Sequence, residues 1–303
     1  MLDGTFDLAL ANALWGQESY PFRESYLDTA EENYGGAFHE VDFVDETEES
    51  REQINDWVAE RTQENIDELL PPDSITGLTR LVITNAVYLL ADWKYPFDPE
   101  DTDDGEFTQV DGPTAEVPMM QQTETFRYLS DHDHGYQMID LPYVGDTVSM
   151  SIILPEEGAL ESVVADMTGE WLIEHFAELD QADESELRLQ LPRFEFESST
   201  ELGKLLADLG MPSAFDGEQA NFEGIARLDE ISETLFIHEV YHDTFVSVDE
   251  EGTEAAAATG VVMGDESAPP SMTVDRPFIF TIRDRESDAV LFLGRIVDDA
   301  DMA

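Results

Sequence analysis

A run of small residues behind a turn signal is the feature that most constrains how this chain folds. The run begins directly after Gly252 and reads Thr-Glu-Ala-Ala-Ala-Ala-Thr. Gly252 permits a sharp change of backbone direction that a residue with a Cβ resists. Alternate residues of an extended chain share a face, so one face of this segment carries only small side chains: Thr253, Ala255, Ala257 and Thr259. The pattern predicts a strand that can slide beneath other elements without a volume clash, with Glu254 on the opposite, solvated side.

Four consecutive alanines also favour a helix, so a helical turn followed by an irregular loop is the alternative interpretation. The flanking residues favour the strand. Residues 250–259 resemble the hinge of the reactive-centre loop of the serpins, serine protease inhibitors that trap their target, and residues 276–280 resemble the strand that follows that loop. The resemblance implies that the hinge comprises Glu250, Glu251, Gly252, Thr253, Glu254, Ala255, Ala256, Ala257, Ala258 and Thr259.

The charge balance is extreme and evenly distributed. The 303 residues include 70 Asp and Glu against 14 Lys and Arg, which gives a net charge of -56, and 42% are hydrophobic, enough for a large core. A block of like charge indicates a solvated tail, but an even spread indicates a surface adapted to concentrated salt. At about 1 M salt the screening length falls to about 3 Å, which mutes self-repulsion. The composition therefore predicts a halophilic protein, and like charges exclude nucleic acid as a partner.

Features that the sequence lacks argue against several classes of function. The chain has no Cys, so it has neither disulfides nor thiol chemistry. Its longest apolar run, residues 81–90, is interrupted by Thr84 and Asn85 and falls short of the ~18 residues that span a bilayer. The chain also lacks a Gly-x-Ser-x-Gly nucleophile elbow. We therefore expect neither a membrane partner nor an enzyme.

The coarse pattern of elements predicts an α+β fold with mainly antiparallel sheets. Residues 50–70 have the apolar spacing of one amphipathic helix, stopped by Pro71 and Pro72. Residues 80–90 are apolar on both faces and rich in branched side chains, which predicts a central buried strand. Residues 187–196 alternate for much of their length and predict another strand.

The resemblance to serpins extends over residues 6–297. Residues 53–58 and 66–70 resemble the helix that crosses the front of the main sheet, and residues 81–88 resemble the long strand beneath it. The resemblance implies a serpin fold, in which a helix crosses a large central sheet and a reactive-centre loop is exposed. It also implies one domain over residues 1–303 that lacks the N-terminal helices and the first strand of the family.

The resemblance implies an inhibitor that acts as a suicide substrate. The target protease cuts the loop, and the loop inserts as a new strand before water releases the acyl-enzyme. Counting along the family's loop places the reactive bond between Glu266 and Ser267, with Met263 as the alternative if the register slips. The implied partner is a serine protease, either glutamate-cleaving or subtilisin-like. The family also favours an extracellular location, and we expect a monomer without a cofactor.

Three further residues take roles from the resemblance. Asn85 and His242 correspond to the polar pair, the shutter, that closes the middle of the main sheet. Trp93 corresponds to the aromatic residue at the breach, the top of the sheet where insertion starts.

Other interpretations compete with inhibition. A non-inhibitory serpin-fold binding or storage protein and an inactive truncated fragment fit the same motifs, but the small-residue hinge favours an inhibitor. Residues 131–134, Asp-His-Asp-His, suggest a metal site. Their spacing matches no strong ligand pattern, and an exposed acidic loop is the better interpretation.

Overall fold

The computed structural model describes residues 6–34, 37–132, 134–230, 234–253 and 269–302. The chain divides into two compact units. Unit 1 comprises Met1–Asp7, Leu89–Phe196 and Val246–Ala303, and unit 2 comprises Leu8–Tyr88 and Glu197–Phe245. The single domain expected over residues 1–303 stays a prediction.

The described elements alternate irregularly between helices and strands. The helices are α1 (Glu24–Tyr34), α2 (Thr47–Arg61), α3 (Leu160–Asp166), α4 (Gly169–Gln181) and α5 (Gly203–Asp208). The strands are β1 (Phe6–Gln17), β2 (Ala37–Val41), β3 (Leu81–Asp92), β4 (Asp103–Thr108), β5 (Thr114–Asp131), β6 (Tyr136–Pro142), β7 (Val148–Pro155), β8 (Glu184–Pro192), β9 (Phe194–Glu201), β10 (Tyr241–Val248), β11 (Gly252–Thr253), β12 (Ser271–Thr273), β13 (Phe278–Asp284) and β14 (Val290–Ile296). No helix in these described ranges is long and apolar enough to cross a membrane.

The strands form two sheets. One has the order β2-β1-β3-β10-β9, with β11 paired to β3 beside this path. Its β1–β2 and β3–β10 pairs are parallel, and its β3–β11 pair is antiparallel. The other sheet has the order β12-β8-β5-β6-β7-β13-β14, with β4 on β5, and is antiparallel apart from the β12–β8 pair. The α+β class predicted from the sequence is confirmed.

Each unit has its own apolar core beneath a helix. In unit 2, Ile54 of α2 is buried with Trp15 of β1 and Val41 of β2. In unit 1, Phe176 of α4 is buried with Ile153 of β7, and all eight residues of β7 are buried. Burying an apolar side chain of this size stabilises the fold by about 1.5–3 kcal/mol, so these contacts fix α2 and α4 on their sheets.

The helix predicted over residues 50–70 is too long. Helix α2 ends at Arg61, because the next turn requires Gln63 and Glu64 to adopt positive φ angles of 55° and 65°. A right-handed helix cannot continue through such residues. Thr62 caps the end, since its hydroxyl donates to Val58 O at 3.0 Å.

The apolar residues beyond this end are nonetheless buried. Ile66 and Leu69 have relative exposures of 2% and 1%. The Asn55 side chain holds their segment against α2, because it donates to Leu70 O at 3.0 Å and accepts from Leu70 N at 2.9 Å. Helical spacing therefore identified core residues correctly, but a turn rather than a helix brings the last of them inward.

Two strand predictions also need correction. The strand predicted over residues 80–90 forms as β3 (Leu81–Asp92) at the predicted central position. It is not buried on both faces: Thr84 and Ala86 are buried, whereas Ile83 is 55% exposed. Residues 187–196 belong to two strands, because β8 ends at Pro192 and β9 begins at Phe194. Strand β8 pairs with β5 in the eight-stranded sheet, whereas β9 pairs with β10 in the six-stranded sheet, so the chain changes sheets at Arg193.

Candidate functional site

A tight reversal of the backbone precedes the small-residue run. The Asp249 carboxylate accepts hydrogen bonds from Glu251 N at 2.9 Å and Gly252 N at 3.1 Å. The Asp249 backbone N–H donates to Gly252 O at 3.1 Å. An Asp side chain that binds the backbone two residues ahead is a common turn former. The chain therefore leaves β10, which is parallel to β3, and returns in the opposite direction as β11.

Gly252 lies at the point of closest approach in this turn. Its φ is +147°, and a Cβ built there would lie 2.2 Å from Ala91 O. No residue with a side chain fits this position without moving the backbone. Gly252 and Thr253 pair antiparallel with Asp92 and Ala91, at the end of β3. Gly252 and Thr253 of the predicted hinge thus already pair with β3, as a two-residue strand.

Glu250 is tied down by charge and hydrogen bonds. It is 4% exposed, and its Oε1 accepts from Arg193 Nε at 2.8 Å, from Arg193 Nη2 at 2.5 Å and from the Thr102 hydroxyl. Burial raises the pKa of Glu250, but the bonds from Arg193 and Thr102 outweigh it and hold the pKa below its usual range. We call this group of three side chains the hinge anchor. Phe97 N also donates to Glu250 O at 2.8 Å.

Trp93, the residue assigned to the breach, contacts the same turn. Its indole N–H donates to Asp249 O at 3.0 Å, and its backbone N–H donates to Glu251 O at 2.9 Å. The ring stacks on Tyr143 with centroids 4.5 Å apart and is 3% exposed. The structure therefore brings Trp93, which is distant in sequence, to the backbone at the start of the hinge.

The two shutter residues contact one another in unit 2. His242 Nδ1 lies 2.9 Å from Asn85 Oδ1, and Asn85 Nδ2 donates to Asn12 Oδ1 at 2.7 Å. Because an amide oxygen only accepts, this arrangement places a proton on Nδ1 of His242. Asn12, which sequence reasoning missed, makes this a chain of three side chains on β1, β3 and β10, which we call the shutter chain. The sequence feature that could have identified it is an Asn side chain in the middle of the apolar residues of β1.

Asp243 is a second residue that sequence reasoning missed. It follows His242 in β10, is 3% exposed, and its Oδ1 has no hydrogen-bond partner in the described part of the chain. Burial raises the pKa of Asp243; a hydrogen bond from Ser199 opposes this effect, and the charge of Glu197 adds to it. A buried carboxylate of this kind is unfavourable when ionised.

The remaining predicted loop positions lie outside the described residues. These are the hinge residues Glu254, Ala255, Ala256, Ala257, Ala258 and Thr259, the reactive-bond residues Glu266 and Ser267, and the alternative Met263. Asp133 of the Asp-His-Asp-His stretch also lies outside them.

Comparison with known proteins identifies the family. A family model described as Serpin (serine protease inhibitor) matches residues 2–299. The chain belongs to the serpin family. The description is that of protease inhibitors rather than catalysts, in agreement with the resemblance of the hinge and the motifs around β3.

Individual serpins match nearly the whole chain. A serpin-like protein of Methanosarcina mazei is 38% identical over 97% of this chain and 68% of its own length. Serpin B6 of Macaca fascicularis is 40% identical over 95% of this chain and 76% of its own length. A solved structure described as uncleaved ovalbumin superposes with a TM-score of 0.87 at 28% identity, covering 98% of this chain and 79% of that chain. The predicted serpin fold is confirmed.

Proposed function

We propose that this serpin inhibits a serine protease as a suicide substrate, by inserting its cleaved loop into the six-stranded sheet. The observation that carries the proposal is the antiparallel pairing of Gly252 and Thr253 with the end of β3, directly before the small-residue run. An extended chain that continues in this direction passes along β3. The run from Thr253 to Ala258 is small enough to enter between packed strands.

The lengths of the loop and the strand agree. Thr253 to Glu266 is 14 residues, or about 46 Å of extended chain at about 3.3 Å per residue. β3 has 12 residues, or about 40 Å. A loop cut after Glu266 is therefore long enough to pair along all of β3.

Insertion requires β3 and β10 to separate. They pair through Ala86 with Asp243, Val87 with Thr244 and Tyr88 with Phe245. The hydrogen bond between Asn85 and His242 joins the same two strands. A neutral amide and imidazole can exchange partners as strands part, at little net cost, which supports the shutter role proposed for them.

The proposed reactive bond is Glu266–Ser267. An acidic residue before the cut selects a protease with a positively charged primary pocket, such as a glutamate-cleaving enzyme. Met263 is the alternative, and it would select a subtilisin-like protease with a broad apolar pocket. The net charge of -56 supports activity in concentrated salt, where self-repulsion is screened.

The test combines the purified chain with each protease in concentrated salt. Denaturing gels and mass spectrometry should detect a covalent adduct and release of a peptide that begins at Ser267. A peptide that begins at Gly264 would instead assign the bond to Met263. Cleavage at either bond without an adduct would show a substrate rather than an inhibitor, as expected of a non-inhibitory serpin-fold protein.

Ala257→Arg and Ala256→Arg form a matched pair for the insertion step. Alternate residues of an extended chain share a face, so we expect Ala257 on the small-residue face of the hinge and Ala256 on the solvated face with Glu254. Arg at residue 257 would bury an unpaired charge and convert the inhibitor into a substrate. Ala256→Arg should still form the adduct. Equal adduct yields from both variants would contradict insertion in this register.

A further inference from the structure

A surface cavity in unit 1 has no part in the proposed inhibition. Its volume is about 400 Å³, and it lies where the β5–β6 hairpin approaches α4. Six residues line it: Leu129, Ser130, Asp131, His132, Tyr136 and Glu178. The lining carries two carboxylates and a phenol but no Lys or Arg, so its polar groups favour a positively charged occupant.

Tyr136 provides the most informative group in the cavity. Its side chain is 3% exposed, yet within the described ranges its hydroxyl has no hydrogen-bond partner. Burial, followed by the charges of Asp131 and Glu178, raises the pKa of Tyr136 to about 12. The phenol therefore stays protonated at neutral pH, and its oxygen is available to accept a hydrogen bond. The Tyr136 side chain lines the cavity, so its hydroxyl is available to hydrogen-bond an occupant.

The wall behind Tyr136 is rigid. Its ring packs against Trp171 and His175 with centroids 5.6 Å and 5.7 Å away, and those two rings stack on each other at 3.8 Å. This aromatic cluster fixes the position of the hydroxyl. The cavity therefore has a preformed polar group, which reduces the entropy lost when a ligand binds.

The two carboxylates differ in their surroundings. Asp131 is held in place, because it accepts from His134 N at 3.0 Å and lies 2.6 Å from His134 Nδ1. Glu178 lies exposed on α4 and, in the part of the chain that the structure describes, takes part in no ion pair or hydrogen bond. A cation in the cavity would give Glu178 a partner.

The arrangement disfavours a bare metal ion. Across the described ranges, no three His, Asp or Glu side chains converge as metal ligands. Both ring nitrogens of His132 are already engaged, with Glu156 at 3.4 Å and Ser130 at 3.3 Å. The lining offers two carboxylates and a hydroxyl rather than three metal ligands, so it suits a cation that binds by donating hydrogen bonds.

We propose that this cavity binds a small organic cation with a primary ammonium group. The ammonium lies beside Glu178 and Asp131 and donates a hydrogen bond to the Tyr136 hydroxyl oxygen. Charge-assisted hydrogen bonds of this kind are stronger than neutral ones. The site is independent of loop insertion, so failure of one proposal leaves the other intact.

The test is calorimetric titration of the full chain with putrescine at constant high salt. Saturable binding at one site is expected. Glu178→Gln removes one charge and should weaken binding about tenfold or more. Tyr136→Phe removes only the hydroxyl and should weaken it about tenfold.

Two controls separate a specific site from general attraction to an acidic surface. Glu174→Gln makes the same charge change one turn away on α4, at an exposed residue outside the cavity lining, and should leave the affinity unchanged. Tetramethylammonium has no N–H donor, so Tyr136→Phe should not alter its weaker binding. Titrations that do not saturate, or equal losses from Glu174→Gln and Glu178→Gln, would overturn the proposal.

Discussion

The hinge anchor and the shutter chain hold polar side chains in different ways. In the hinge anchor, a carboxylate with 4% exposure accepts from the guanidinium of Arg193 and the hydroxyl of Thr102. In the shutter chain, neutral amides and an imidazole join three neighbouring strands. Breaking the contacts of the hinge anchor leaves a buried charge without a partner. Breaking those of the shutter chain loses only the modest net energy of neutral hydrogen bonds.

This difference matches what the proposed loop insertion would require. The residue at the start of the loop would have to stay in place while the rest of the loop moves, and ionic contacts together with the turn at Gly252 favour that. The strands proposed to receive the loop would have to separate, and neutral hydrogen bonds would permit it. The predictions below therefore expect large losses at the hinge anchor and small ones in the shutter chain.

The largest effect is expected from Gly252→Ala. The new Cβ would lie 2.2 Å from Ala91 O at a φ of +147°, so β11 has to leave β3. We expect the free energy of unfolding, measured by urea titration in concentrated salt, to fall by about 3 kcal/mol. Gly112→Ala is the control, because Gly112 has a φ of +95° but no neighbour within 4 Å. An equal loss in both variants would mean that the close approach to β3 contributes nothing.

Glu250→Ala is expected to have the next largest effect. The substitution leaves Arg193 and Thr102 without their acceptor. Because the Arg193 side chain is 38% exposed and water can reach it, the expected loss of about 2 kcal/mol is smaller than for a fully buried pair. Glu251→Ala, next to it in the turn, should cost much less. Similar losses from the two would contradict an anchoring role for Glu250.

The pH dependence of this loss provides an independent check. The pKa of Glu250 in the folded state lies below its usual range, so its carboxylate stabilises the fold above the unfolded pKa. That stability is lost as the pH falls through the folded pKa. The difference in unfolding free energy between the wild type and Glu250→Gln should therefore shrink in acid. A difference that grows in acid would contradict the ionised anchor.

His242→Ala should cost about 1 kcal/mol of unfolding free energy, since it removes one neutral hydrogen bond to Asn85. His238→Ala is the matched control, because His238 is exposed. His242→Ala, unlike the control, should also change the yield of covalent adduct, because β3 and β10, the strands proposed to receive the loop, are held together less firmly. A loss at His242 as large as that at Glu250 would remove the distinction between anchor and shutter.

Sequence reasoning found the parts of this molecule that depend on local pattern. The turn at Gly252, β3 and the core positions of α2 all follow from spacing and residue size. It missed features that depend on which strands are neighbours. Asn12 joins the shutter chain only because β1 lies beside β3. The end of α2 was missed for a related reason, since the apolar spacing continues to Leu69 while Gln63 and Glu64 turn the backbone. Apolar periodicity therefore predicts which residues are buried. It does not distinguish a helix from a turn that packs against a helix.

The smallest effect, and the one with the opposite sign, is expected from Asp243→Asn. Its pKa in the folded state is raised, so the protonated form is favoured there. The group therefore stabilises the fold below its unfolded pKa and loses that contribution as the pH rises through the folded pKa. At neutral pH, Asp243→Asn removes a poorly paired buried charge and should raise the unfolding free energy by about 1 kcal/mol. The gain should vanish in acid, where Asp243 is protonated. A gain that is independent of pH would mean that the charge of Asp243 does not oppose folding.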